Sequence, residues 1–342
     1  MAGEGEEMKV LHITPHLGGG VGTVIMDWMD LMGDGHSILC LDYINVTAAK
    51  RIRQELTSTR SWDFICREIE KADVVLVHYW DHSMLASLLA WPLPPCRLAL
   101  WCHKNITAQV YDRVWWEKVL NYPDRFVATS PIIHGATKFI WSTGNMDRFF
   151  HVQKLAHQGI IIGYAGTVDY KKMHKDFIPM CLEIKHRVPD ARFLILGEVN
   201  IHVSDFIVKP DDNIRTDGSF RFMGKVDDIA PYLGAMDVFG YPLRPDHYGT
   251  CEQVLGEAMS AGVPVVTMNN PAEQFISPLC AETTTDYIEF VVTLCKDREA
   301  RENQAILGRA RAGMYNIRSM IHQWDNVFMQ MMKEDKRERD AI

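Results

Sequence analysis

The chain has 342 residues, enough for two domains of ordinary size. At 47% hydrophobic and 23% charged it holds enough apolar surface to fold, which excludes a mainly disordered chain. Net charge is −8, divided as −2 through residue 156 (15 basic, 17 acidic) and −6 beyond it (21 basic, 27 acidic), so neither part is built to attract a nucleic-acid backbone.

The opening MAGEGEE lacks the basic start and apolar run of a signal peptide, and is expected to be a disordered leader over residues 1–7. Lys9–Ile13 then reads as a short buried strand, followed at once by Gly18, Gly19, Gly20 and Gly22. From Thr23 the apolar spacing becomes helical, with Val24, Trp28, Leu31 and Met32 on one face. A strand is expected over Ser37–Leu41, a helix over Ala48–Glu70, and strands over Asp73–His78, Arg97–Cys102 and Arg125–Thr129. The most apolar window, Ser83–Cys102, contains Pro92, Pro94, Pro95 and Arg97, which disqualify it as a membrane span.

After a variable stretch near Trp141–His157 the alternation restarts. Gly159–Gly163 is a strand, Phe177–Val188 a helix, and Ala191–Leu196, Arg221–Met223 and Asp237–Tyr241 are strands. A helix is expected from about Cys251 to Ser260, a strand over Val263–Thr267, and helices over Asp286–Cys295, Ala300–Gly313 and Ser319–Lys336. Strands alternating with helices predict an α/β fold of two doubly wound, Rossmann-like domains with parallel sheets, facing across a cleft. The expected boundary lies near residue 157, giving domains over 8–156 and 157–316 and a closing segment over 317–342. Eight cysteines without a CxxC pair read as reduced thiols, which fits a cytoplasmic protein better than a disulfide framework or a zinc site.

Three motifs carry the chemistry. In His16-Leu-Gly-Gly-Gly-Val-Gly-Thr23, glycines between a strand and a helix bring backbone amides close to an anion, although a purely structural turn has the same signature. In Gly163-Tyr-Ala-Gly-Thr-Val-Asp-Tyr-Lys-Lys-Met-His-Lys175, a glycine turn precedes three lysines, a set suited to a pyrophosphate. Lys171 and Lys175 also suit a solvated face. In Tyr241–Val266 a strand enters a polar loop, a helix is expected to open near Gly249 and Thr250, and Glu252 and Glu257 follow. The two glutamates are five residues apart, so on a helix they do not share a face. A carboxylate such as Glu257 can accept both hydroxyls of a ribose.

These motifs in this order resemble the family 4 glycosyltransferases of the GT-B fold, over roughly residues 8–300. Glu-Ala-Met-Ser-Ala-Gly-Val-Pro-Val-Val (257–266) and Phe222-Met-Gly-Lys-Val-Asp-Asp228 carry the resemblance most strongly. It implies that the first domain binds the acceptor and the second a nucleotide-sugar donor, and that the final helix crosses back to the first domain. Met320, Trp324, Phe328 and Met331 would form its docking stripe. It also implies that Glu257 holds the ribose, that Gly19 and Gly20 approach the donor phosphates, that Lys172 binds phosphate, and that His103 faces the transferred sugar. Donor contacts are further expected at Gly166, Thr167, Gly249, Thr250, Cys251 and Glu252. Of these residues, His103, Lys172 and Glu252 are the catalytic candidates.

Two positions depart from the family pattern. Thr167 stands where an arginine is usual, so Lys171, Lys175 or Arg244 would supply the missing cation. Gly249 stands where the first glutamate of an E-x7-E pair is usual, so Glu252, His247 or Asp246 would take its contacts. The implied reaction transfers a sugar from a nucleoside-diphosphate sugar to an acceptor hydroxyl with retention, without a metal or other cofactor. The departing diphosphate is stabilised by Lys172 and by amides, and itself accepts the acceptor's proton. A nucleotide-sugar epimerase and a catalytically degenerate sugar-nucleotide or partner-binding protein are the alternatives. No HxH or HExxH spacing supports a metal enzyme, and no GxSxG elbow a serine hydrolase. The acceptor class stays open among glycan, lipid-linked sugar, small molecule and protein. Within Lys104–Leu120, Arg113, Trp115, Trp116 and Lys118 suit peripheral contact at the inner face of a membrane or a sugar, while paired tryptophans are more often core.

Overall fold

The computed structural model describes residues 7–105, 112–200 and 218–342. Positions 1–6 of the expected leader, and 106–111 of the tryptophan-bearing stretch, lie outside the described residues. Two compact units are present, one of residues 1–145, 248–251 and 315–342, the other of 146–247 and 252–314. The second unit therefore begins ahead of the boundary expected near residue 157.

In the first unit the strands are Val10–Thr14 (β1), His36–Cys40 (β2), Glu55–Ser58 (β3), Val74–Tyr79 (β4), Leu93–Cys96 (β5), Leu98–Cys102 (β6) and Arg125–Ala128 (β7). Six of them form a parallel sheet in the order β3-β2-β1-β4-β6-β7. Every residue of β1, β4 and β6 is buried, as expected of central parallel strands covered on both faces. Strand β5 leaves that sheet and pairs antiparallel with a terminal strand, Arg337–Arg339. Its Pro94-Pro95 pair conceals this edge strand in the sequence.

The helix expected over Ala48–Glu70 is corrected to two helices, Val46–Arg51 and Trp62–Lys71, with β3 between them. Ile52 with Leu56, and Ile65 with Ile69, keep a four-residue spacing that looks helical. The intervening Thr57-Ser58-Thr59-Arg60-Ser61 is poor in helix formers, and Glu55–Ser58 instead pairs with Ser37–Cys40 as a sheet edge.

The last helix, Ile317–Met331, is capped by Asn316, whose side chain accepts from the Ser319 amide. It buries Met320, Ile321, Trp324, Val327, Phe328 and Met331 in the first unit's core. Trp324 meets Trp101 of β6 with ring centroids 5.2 Å apart, and Phe328 stacks on Trp28 at 6.3 Å. The stripe anticipated from the spacing is thus the face that packs.

In the second unit Ile160–Ala165 (β8), Ala191–Leu196 (β9), Phe220–Gly224 (β10), Val238–Tyr241 (β11), Val265–Met268 (β12) and Cys280–Ala281 (β13) form a second parallel sheet, ordered β10-β9-β8-β11-β12-β13. Both sheets run third-second-first-fourth-fifth-sixth among their own strands, which is the Rossmann-like order. In such a sheet the chain reverses direction of winding between first and fourth strands, and ligands bind beyond their carboxyl ends. In the first unit the loops there are those after β1 and β4, and in the second those after β8 and β11. No helix among the described residues is long and apolar enough to cross a membrane.

Candidate functional site

In the second unit the loops after β8 and β11 are tied together by their backbones. The His174 amide donates to the Pro242 carbonyl at 2.8 Å and the Arg244 amide to the Lys172 carbonyl at 2.9 Å, while Met173 and Leu243 form an antiparallel bridge. Lys172 is therefore fixed against the end of β11. Its Nζ stands 3.3 Å from Oε2 of Glu252 and 5.5 Å from the ring centre of Tyr241. The Tyr241 hydroxyl donates to the same Oε2 at 2.7 Å, and Nδ1 of His247 lies 3.9 Å from Oε1.

Glu252 is the only described residue other than glycine with a positive φ, at 32° with ψ 73°. It is the N-cap of the helix Gln253–Ser260, so the expected start at Cys251 is corrected to Gln253. The left-handed turn costs about 1 kcal/mol for a residue with a side chain. It directs the carboxylate inward, where only 8% of the side chain is exposed, against 26% for Lys172. Burial pushes the Glu252 carboxyl up, but Lys172, His247 and the Tyr241 hydroxyl outweigh it and hold the group below its usual value. Burial, reinforced by the Glu252 charge, pushes the Tyr241 phenol well up.

Beside this pair lies a second carboxyl that the sequence motifs did not reveal. Glu273 is fully buried, and its Oε2 accepts from the Leu243 and Met268 amides, each at 3.3 Å. Burial and the neighbouring Glu252 charge raise it well above its usual value, and among the described residues its Oε1 has no hydrogen-bond partner. Two carboxyls in one unit are thus shifted in opposite directions from their usual value.

The other expected residues divide between the units. Gly166 and Thr167 follow β8 directly, with the Gly166 amide donating to the Leu196 carbonyl at 2.9 Å and Thr167 exposed. Glu257 is half-buried on the helix Gln253–Ser260. The cation assigned to Arg244 is engaged, because its guanidinium bonds Asp246 at 2.6 and 2.8 Å and the Tyr170 carbonyl at 3.3 Å. The same bonds occupy Asp246. Lys171 and Lys175 are exposed.

Gly249, Thr250 and Cys251 belong to the first unit, not with Lys172 and Glu252. The Thr250 hydroxyl bonds that of Thr129 at 2.9 Å, and the Cys251 thiol donates to the Thr129 carbonyl at 3.1 Å. Gly19 and Gly20 open the helix Gly19–Leu31, are exposed, and follow a Gly18 amide that donates to Nδ1 of His16 at 3.1 Å. The first amides of that helix have no acceptor within it. His103 follows β6, its amide donating to the Tyr79 carbonyl at 2.8 Å. Trp116 is buried and Trp115 packs on the same core, its Nε1 donating to the Tyr79 hydroxyl at 3.4 Å, so the adjacent tryptophans are core contacts.

Sequence reasoning missed Tyr241 and Glu273 as partners of the loop. The only available signals were a tyrosine at the end of a strand and a glutamate following Asn-Pro at a helix start.

Residues 159–297 match the family model described as Glycosyl transferases group 1. No curated protein matches the chain by sequence. Among solved structures, HepE of Anabaena in complex with UDP is similar at a TM-score of 0.76 and 13% identity, over 94% of this chain and 100% of that one. A glycosyltransferase of Rickettsia africae gives 0.75 and 13%, over 96% and 100%. WaaG, a glycosyltransferase involved in lipopolysaccharide biosynthesis, gives 0.63 and 12%, over 93% and 99%. The chain has the two-sheet α/β GT-B fold of these structures, and the stretch holding Gly166, Lys172, Glu252 and Glu257 is similar to glycosyl transferases group 1.

Proposed function

We propose that the protein is a glycosyltransferase of the family 4 type, moving a sugar from a nucleoside-diphosphate sugar to an acceptor hydroxyl with retention and without a metal. The observation that carries this is the Lys172–Glu252–Tyr241 cluster at the switch point of the second sheet, inside the segment matching glycosyl transferases group 1. Lys172 is held by a buried carboxylate and an aromatic face before any ligand arrives. It can therefore meet the charge that develops on a departing diphosphate without reorganising.

In this reading Glu257 accepts the ribose hydroxyls, and Gly166 and Thr167 border the phosphates. Glu252 acts through Lys172 as a positioning residue. In the first unit, Gly19, Gly20, Gly249, Thr250 and Cys251 contribute backbone donors and His103 addresses the transferred sugar. The departing phosphate takes the acceptor's proton. HepE has been solved with UDP and with UDP-glucose, so UDP is the first nucleotide to try.

The test is calorimetric titration of the full chain with UDP, GDP and ADP and their sugar conjugates, without added metal. Saturable binding of one diphosphate, weakened in Glu257→Ala, supports the donor site and opens acceptor screening. Absence of binding to every nucleotide by a folded sample would overturn it in favour of a protein that does not use sugar nucleotides.

A further inference from the structure

Four histidines of the first unit stand in one row, of which the activity proposed above uses only the last. Nδ1 of His36 is 2.8 Å from Nε2 of His12, Nδ1 of His12 is 3.0 Å from Nε2 of His78, and Nδ1 of His78 is 3.2 Å from Nε2 of His103. His36 opens β2, His12 is central in β1, His78 lies in β4, and His103 follows β6. The row thus climbs the sheet from its amino-terminal edge to its carboxyl end. For the two inner contacts the ring centroids are 5.3 and 5.4 Å apart with interplanar angles of 20° and 21°. Those separations exceed the N···N distances by about one ring width, so the rings meet edge to edge, as N–H···N bonds require.

His12 and His78 are fully buried, with Trp28 edge-on to His12 and Trp101 beside both His78 and His103. Burial lowers all four rings, to about 4 at His36 and about 3 at His103. Among the described residues, neighbouring histidines lower His12 and His78 further, and no carboxylate opposes the effect. At neutral pH each ring is neutral, with one N–H and one lone pair.

Neutral rings in such a row have two consistent settings, every proton on Nε2 or every proton on Nδ1. A ring in the wrong setting would face N–H to N–H on one side and lone pair to lone pair on the other, leaving buried polar groups unpaired. We propose that this row is a tautomer-coupled proton relay in which His36, His12 and His78 hold His103 with its proton on Nε2. Its Nδ1 is then presented as an acceptor to a ligand hydroxyl. Identifying that hydroxyl as one on the transferred sugar rests on the function proposed above, whereas the coupling of the rings does not.

Neutral imidazole intrinsically favours the Nε2 proton, and linking four rings compounds the bias toward that setting. Switching moves one proton across each of the three contacts. A proton gained at Nδ1 of His103 is matched by one leaving Nε2 of His36, and no imidazolium remains in the core. The contacts run along a line instead of converging, and among the described residues no group of three or more His, Cys, Asp or Glu could hold a metal ion.

The test is imidazole NMR on the full chain labelled with nitrogen-15 at histidine, which distinguishes the two tautomers ring by ring. All four rings of the unsubstituted chain are expected as Nε2–H, and a mixed pattern would overturn the coupling. In His36→Phe the Nε2–H of His12 loses its acceptor. A buried orphan N–H is worse than a buried orphan lone pair, so the row switches and His103 becomes mainly Nδ1–H. His36→Asn, whose amide oxygen stands near the place of Nδ1, restores Nε2–H at His103. If His103 keeps its tautomer in a folded His36→Phe, the rings are independent core histidines and the proposal fails. If His36→Phe does not fold, His36→Leu removes the same acceptor with a smaller side chain and is read for the same two outcomes. Failure of the chain to bind UDP would remove the substrate reading and leave these spectra unchanged.

Discussion

Replacing Lys172 by methionine removes a charge while keeping most of the side chain's volume, and so isolates what the ammonium does for Glu252. Breaking a buried ion pair from one side typically costs 3–5 kcal/mol. Lys172 is 26% exposed and its charge is partly screened, so a cost of about 1–3 kcal/mol is expected here. For a unit of this size that lowers its melting temperature by roughly 3–8 °C. The pH dependence is the sharper readout. With Lys172 present the folded carboxyl of Glu252 lies below its unfolded value, so its contribution is present above that value and lost as pH falls through the folded one. Without Lys172 burial dominates, the folded carboxyl rises above the unfolded value, and the sign reverses: stability now falls as pH rises from about 4.5 toward neutrality. The double variant Lys172→Met/Glu252→Gln should recover most of the stability, because no unpaired charge stays buried. It should not recover turnover, which is expected to fall by roughly 10²-fold or more in either variant lacking the lysine. The assays are thermal melts from pH 4 to 8, and donor turnover once an acceptor is known. An unchanged melting profile in Lys172→Met would refute the coupling, and retained turnover would remove Lys172 from the chemistry.

Glu257→Ala is expected to weaken binding of the nucleoside diphosphate by about 10- to 100-fold, the effect of losing hydrogen bonds to a charged acceptor; calorimetry that finds an unchanged affinity would remove the ribose assignment. Trp324→Ala should destabilise the first unit by about 3–5 kcal/mol, since a fully buried ring against Trp101 and Phe328 is deleted; a loss under 1 kcal/mol in denaturant titration would show that the final helix is a loose appendage. Gly197→Ala would drive a methyl into the Gly166 carbonyl at a φ of 133°, displacing the turn beside Thr167. A lower melting temperature together with weaker diphosphate binding is expected, and wild-type values for both would show that this turn has room to spare.

The alternation of strands and helices was legible because central parallel strands are continuous apolar runs, as in Val74–Tyr79 and Leu98–Cys102. The pieces that escaped notice are those whose residues serve the edge of a sheet. Glu55–Ser58 is half-exposed and polar, and Leu93–Cys96 holds two prolines, so neither carries an apolar signal. At the candidate site, the glycine turn and Lys172 could be placed from local spacing alone. The direction of Glu252 could not, because a left-handed glutamate is disfavoured locally and is held only by contacts with Tyr241 and Lys172 that are distant in sequence. The histidine row was hidden for the same reason. His12, His36, His78 and His103 each look like an isolated polar residue near an apolar run, and only the strand order brings them into line.

The charge arrangement around Lys172 bears on how a diphosphate would be held in the proposed function. Lys172 is paired with buried Glu252, and Arg244 is bound to Asp246. These four groups therefore sum to about zero before a ligand arrives. A site of that kind does not draw its anion in by a strong local field. It presents a cation whose position is fixed and whose counter-charge, held by Tyr241, cannot follow the ligand. Thr167 in place of the arginine usual in the family it resembles points the same way, because this position supplies no cation and more of the work falls to backbone donors. Reintroducing it tests this balance: Thr167→Arg should tighten diphosphate binding and steepen its salt dependence, since a mobile, exposed cation adds long-range attraction. An affinity unchanged between 50 mM and 500 mM salt in that variant would mean that the turn after β8 does not border the phosphates at all.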